Sequence, residues 1–279
     1  MDRVPFGIKQ LDGIVNGGAP AGSVVLLSGE AGAGSREFMY TCAVMNGLAS
    51  LEHDLFDLHY GDLAGNAELP GGIHYLSFTA TEDQLCDEIT MAMDPDVAEP
   101  ALDAIEFVSL TRQYFHVSPV PRDWYAEETP DITDLRKRHE EREGLLSALG
   151  TELSKRAPGG IVVIDSLADL TGAIGDDVDW ADVNYLVRGL QRAAHEWNGL
   201  ILLHANHEAL SPRRHAQLVD ACNGAMRFQW ETGGSTRART MIVQSFRGVL
   251  SQLEDEDIVQ FETELGDAGF DISDVRKIR

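Results

Sequence analysis

The chain has 279 residues and is 43% hydrophobic, which is enough apolar material for a real core and excludes an intrinsically disordered protein. Its 22 Lys+Arg against 46 Asp+Glu give a formal net charge of −24, which disfavours nucleic-acid binding, since that binding draws on cationic side chains and counterion release. A surface this acidic repels itself until salt of about 1 M shortens the Debye length to roughly 3 Å, so it points to a halophile's cytoplasm or to an acidic interaction surface in an ordinary cell.

The N-terminus starts with charged Met-Asp-Arg and has no apolar signal core. No run of about 18 apolar residues occurs further on, so a cytoplasmic protein without membrane insertion is expected. The first strand is "SVVLLS" (23–28), a short β-branched run that ends at a glycine loop. "REFMYTCAVMNGLAS" (36–50) then predicts a helix with Phe38, Cys42, Met45 and Ala49 on one face. Between them lies "GEAGAGSR" (29–36). A phosphate-binding loop reads G-x-x-x-x-G-K-[ST]: its glycines let backbone N–H groups close around phosphates, its lysine neutralises charge and its hydroxyl helps hold Mg²⁺. Gly29, Gly32 and Gly34 keep the cradle, but the next two residues are Ser35 and Arg36.

Further along, "LEHDLFDLHYGDLAGNAELPG" (51–71) is long for a helix-to-strand connection and reads as a partner-binding insertion, with Phe56, Leu58 and Tyr60 among acids, or as a local flap. "IHYLSF" (73–78) predicts a second strand, "TEDQLCDEITMAM" (81–93) a helix, and "AIEFVSL" (104–110) a third strand. A charged helix is expected from about Pro130 and Asp131 to Arg156, with Leu135, Leu145, Leu146, Leu149 and Leu153 at mostly helical spacing. Within it "RKRHEERE" (136–143) alternates in sign like a salt-bridged exposed face.

"IVVID" (161–165) is a continuous apolar strand ending in Asp165, the pattern of a buried parallel strand whose C-terminal end faces a site. A helix (182–198) and a buried strand (200–204) come next, the latter opening "HANH" (204–207). As a metal pair those histidines would point to opposite faces, so no metal site is expected. "RRH" (213–215) with Arg237 and Arg239 reads as a solvated loop or a local basic patch. Strands at 225–231, 238–246 and 257–264, joined by Gly/Ser or acidic turns, indicate an antiparallel edge on a mainly parallel sheet. Cys42, Cys86 and Cys222 lie far apart in or beside apolar segments, as reduced core thiols would.

With these segments in hand, the chain resembles a KaiC-type domain of the RecA superfamily, and in its acidity a haloarchaeal-type member. "RVPFGIKQLDGIVNGGAPAGSVVLLSGEAGAGS" (3–35) is similar to the family's opening, "IHYLSFTATEDQL" to its second strand, "GGIVVIDSLADL" (159–170) to its Walker B strand and "RTMIVQSFRG" (239–248) to its late Arg-Gly strand. The resemblance implies a single domain over 1–279: a RecA-like, mainly parallel twisted sheet of seven to nine strands with helices on both faces. It places a remnant nucleotide site at Gly29, Gly32, Gly34, Ser35, Arg36 and Asp165.

It also marks three departures. The family's Lys and Ser/Thr positions hold Ser35 and Arg36. Its general-base glutamate position falls at Thr79 and Ala80, with Glu82 out of register. Its late Lys falls at Ser245, while Arg247 and Gly248 remain. A lost charge-assisted phosphate contact costs about 1.5–3 kcal/mol and a missing general base about 10²- to 10⁴-fold in rate. Arg36, Lys9 or Lys155 are the candidate replacement cations. Together the departures imply a degenerate, non-hydrolysing regulatory or scaffold protein that acts through a protein partner or a homo-oligomer, with ATP/Mg²⁺ bound weakly if at all and no catalytic residue expected. A weak ATPase and a recombination-type DNA binder using Arg213, Arg214 or Arg237 are the alternatives. Thr79, Thr81 and Ser166 are hydroxyls open to modification.

Overall fold

Short runs of alternating β-branched and aliphatic residues build the centre of this protein, and two layers of helices cover them. The coordinates are a computed structural model describing residues 2–116, 118–125, 138–174, 180–232, 237–249 and 258–277. β1 (Arg3–Val4) and β2 (Ala19–Pro20) pair antiparallel on either side of α1 (Lys9–Ile14). β3 (Ser23–Gly29) runs through the glycine loop into α2 (Ser35–Leu51), followed by α3 (His53–His59) and β4 (Ile73–Ser77). Next come α4 (Glu82–Ala92), α5 (Pro95–Leu102), β5 (Ile105–Ser109), α6 (Thr111–His116) and α7 (Arg138–Arg156). β6 (Ile161–Asp165), α8 (Leu167–Ile174), α9 (Trp180–Trp197), β7 (Leu200–Asn206) and α10 (Pro212–Ala221) complete the alternating part. The chain then forms β8 (Gly224–Thr232), β9 (Arg237–Phe246), β10 (Ile258–Gly266) and β11 (Gly269–Lys277).

Among the described residues these strands form a nine-stranded sheet in the order β11-β10-β9-β8-β3-β7-β6-β4-β5. β8, β3, β7, β6, β4 and β5 run parallel, and β8 to β11 form an antiparallel meander at the other edge. This is the RecA-like sheet expected, with its antiparallel C-terminal edge. Alternation sorts the side chains: Val25, Leu27, Ile161, Val163, Leu200 and Leu202 face the layer of α2, while Val24, Leu26, Val162, Ile164, Ile201 and Leu203 face the layer of α7 and α9.

The helix expected at 36–50 is buried along nearly its whole length, not on one stripe, because it sits between the sheet, α5 and β11. In α7, Leu145, Leu149 and Leu153 are buried as predicted. Leu135, the proposed start near Pro130 and Asp131, and the side chains of "RKRHEERE" lie outside the described residues. Cys42 and Cys222 are buried free thiols, whereas Cys86 is only partly covered.

Strand β11 was not foreseen, and α2 depends on it. The chain turns back tightly at Gly269 (φ 94°), and Phe270 and Ile272 then alternate into the core, where the Phe270 ring meets Phe38 at 5.4 Å. The 51–71 segment also differs from expectation. Phe56 and Tyr60 are buried and stacked at 4.7 Å, and the Tyr60 hydroxyl donates to Asp12, so two of its three aromatic and aliphatic markers are core anchors. Leu51, Leu58 and Leu69 point outward, 52%, 74% and 38% exposed.

Candidate functional site

The carboxyl ends of β3, β6 and β7 meet beneath the first turn of α2, the place where parallel α/β sheets usually present ligands. β3 ends at Gly29, and the loop returns through Gly32 (φ 71°) and Gly34 (φ 104°). Only glycine suits position 34: its φ is left-handed, and a β-carbon there would lie 3.1 Å from the Phe270 ring. A β-carbon on Gly29 would collide with the Ser35 hydroxyl. The loop is pinned from the meander side, where the Trp230 indole N–H donates to the Ala31 carbonyl (3.0 Å) and Arg239 Nε to the Gly32 carbonyl (3.1 Å). The Arg239 guanidinium lies over the Trp230 ring at 4.6 Å. The loop bounds a pocket of about 400 Å³ lined by Gly29, Gly32, Gly34, Ser35 and Arg36, and also by Glu30, Glu37 and Asp169.

Behind the loop, strand alternation projects Tyr75 of β4, Asp165 of β6 and His204 of β7 from neighbouring strands onto the face that α2 covers. Asp165 is 4% exposed. Its carboxylate accepts from the Tyr75 hydroxyl (3.0 Å) and from His204 Nδ1 (3.0 Å), and pairs with Arg36 Nε and an Arg36 terminal nitrogen (both 3.4 Å). His204 Nε2 lies 3.1 Å from Ser35 Oγ. Burial alone would raise the Asp165 carboxyl. The hydrogen bond from His204, the Arg36 guanidinium and the Tyr75 hydroxyl outweigh it and hold the group below the usual aspartate value. Burial lifts the Tyr75 phenol well above its ordinary value, so it stays protonated and remains a donor.

The six residues predicted for the site are therefore brought together, with Arg36 joined directly to Asp165. Arg36 is turned toward that carboxylate, and its guanidinium spans the gap between loop and strand. Neither Lys9, in α1, nor Lys155, in the last turn of α7, lines the pocket. Thr79 and Ala80 form a turn whose N–H groups donate to Ser77 Oγ, and Thr81 caps α4 in a capping box with Gln84. Ser166 Oγ donates to Asp169 at 2.5 Å. Arg247 donates to the Asp220 carbonyl within its own chain.

"RRH", expected as a solvated loop, is the first turn of α10: Arg214 lies over the Trp180 ring at 5.0 Å and His215 is buried against Ser28. The Arg237 side chain lies outside the described residues. Tyr75, and the part taken by His204, carry no local signal in the sequence. The one available signal was the pairing of two strands that both end in polar residues, since register sets His204 beside Leu27, two residues before the loop.

The sheet order, the loop between β3 and α2 and the strand-end carboxylate of β6 make up a RecA-like, KaiC-like α/β fold. One solved structure with this fold is a KaiC-like protein from the hyperthermophilic archaeon Pyrococcus horikoshii OT3. It matches with a TM-score of 0.60 at 15% identity, over 98% of this chain and 99% of that one, a likeness that shows the shared fold. No protein-family model and no curated protein matches the chain. Among the described residues, no helix is long and apolar enough to cross a membrane, and no group of three or more His, Cys, Asp or Glu is placed to hold a metal ion.

Proposed function

We propose that this protein is a RecA-like protein that does not hydrolyse ATP and that acts as a regulatory or scaffold component through contacts with a protein partner or with copies of itself. The observation that carries the reading is the occupation of Asp165 by Arg36, His204 and Tyr75. A carboxylate that is to hold a metal-bound water needs free lone pairs facing the pocket, and here they are turned to internal donors. Among the described residues Arg36 is the only arginine or lysine lining the pocket, and it neutralises Asp165, while Glu30 pairs with Arg227 at 3.8 Å, leaving Glu37 and Asp169 to repel a triphosphate. The Ala31 N–H, part of the cradle, already faces a Glu208 carboxylate oxygen at 3.5 Å.

The outward leucines of the 51–71 segment, Leu51, Leu58 and Leu69, support a contact surface for a protein partner. The acidic composition supports a protein that works at high salt and away from nucleic acid. The test is phosphate release from ATP·Mg²⁺ in molar KCl. Release no faster than in a Gly34→Pro control is expected. Turnover that Gly34→Pro abolishes overturns the reading.

A further inference from the structure

The hydrogen-bonded chain behind the loop has an order of its own: Ser35 Oγ, 3.1 Å, His204 Nε2; His204 Nδ1, 3.0 Å, Asp165 Oδ1. We infer that Ser35, His204 and Asp165 form a nucleophile–base–acid relay able to carry out acyl transfer on small carboxylic esters that bear no negative charge. The inference goes beyond the regulatory reading and does not depend on it.

Asp165 is held ionised, so it only accepts, and the facing His204 Nδ1 carries a hydrogen. In the neutral ring that leaves the Nε2 lone pair to accept the Ser35 proton, the tautomer general-base catalysis requires. Ser35 stands at the first position of α2, directly after a left-handed glycine, at the top of a strand–turn–helix. The first N–H groups of a helix have no intrahelical partner, and no side chain caps this one, so the Arg36 and Glu37 amides are available to an oxyanion.

The reaction balances with water as co-reactant. Ser35 Oγ bonds to the ester carbonyl carbon as its proton passes to His204 Nε2. The tetrahedral intermediate then breaks its C–O bond, and the leaving alkoxide takes that proton. Water next adds to the acyl-serine, giving a proton to His204, which returns it to Ser35 Oγ as the acid departs.

Two observations define the substrate. Ser35 and His204 are 6% and 8% exposed and both line the pocket, which limits the acyl group to a small one. Glu37 and Asp169 share the lining and turn away anionic acyl groups and phosphate esters. A second serine–histidine pair gives a contrast. Ser28 Oγ lies 2.9 Å from His215 Nε2, but Ser28 is fully buried, and among the described residues His207 and Arg227, not a carboxylate, act on His215.

The experiment treats the full chain in molar KCl with a small alkyl fluorophosphonate, maps the adduct by mass spectrometry, and separately follows p-nitrophenyl acetate for a burst of product and an acetylated peptide. Labelling of Ser35, lost in Ser35→Ala and slowed at least about 100-fold in His204→Gln, is the expected result. If His204→Gln does not fold, the acetyl group must still be found on Ser35 of the unaltered protein. No adduct, an adduct on another residue, or labelling of Ser35 that His204→Gln leaves unchanged overturns the relay. ATP turnover on the same sample would bear on the regulatory reading alone, so the two failures are distinguishable.

Discussion

The glycine loop and the carboxylate behind it obey different rules. The loop is main chain: its shape rests on two left-handed glycines and on Trp230 and Arg239, which hold its carbonyls. The Asp165 site is side chain, and its partners Arg36, Tyr75 and His204 arrive from a helix and two strands. A backbone cradle persists as long as the fold needs the turn, whatever it binds, because its geometry also seats α2 on the sheet. A side-chain site depends on every residue it uses, and here the Arg36 and Asp165 charges face one another across the gap between loop and strand.

Substitutions can break this contrast or sharpen it. Asp165→Ala removes the acceptor that three buried or half-buried donors share, and a loss of about 3 kcal/mol in urea-unfolding free energy is expected. A loss under about 0.5 kcal/mol would show that Asp165 and its three donors are not a structural unit. Gly34→Ala forces a side chain into left-handed backbone against the Phe270 ring, at a cost of about 2 kcal/mol by the same measurement. A neutral result would show that the loop does not need its conformation.

Tyr75→Phe deletes one hydroxyl donor and keeps the ring's packing, so about 1–2 kcal/mol is expected. The smallest effect is on pH dependence. Because the folded-state Asp165 carboxyl lies below the unfolded value of about 3.9, its stabilisation is fully present above that value and is lost as pH falls through the folded one. Stability curves of the parent and of Asp165→Asn should therefore converge below about pH 4. Parallel curves from pH 7 to pH 3 would mean that the carboxylate is not preferentially stabilised in the fold.

The fold was legible wherever a local pattern sufficed. "SVVLLS" and "IVVID" alternate or run apolar between punctuating glycines, and β3 and β6 match them within a residue. Strand β11 escaped although Phe270-Asp271-Ile272 alternates as a strand does, because the run is short and acidic and only its pairing with β10 and its packing on α2 make it a core strand. The loop residues of the site were legible for the same local reason. The closure of Arg36 onto Asp165 was not, since those residues are 129 positions apart and the direction of an arginine at a helix start depends on what stands across the gap. His204 was visible as a strand-end histidine, but its two partners lie on other elements and become its neighbours only through sheet order.

The most direct test of the account is calorimetric titration of ATP in molar KCl, once with Mg²⁺ and once with chelator. A loop that keeps its cradle while its carboxylate is internally paired predicts that Mg²⁺ does not tighten binding, whether ATP binds weakly or not at all. Affinity at least tenfold higher with Mg²⁺, and lost in Asp165→Asn, would contradict it by showing that Asp165 still serves a metal.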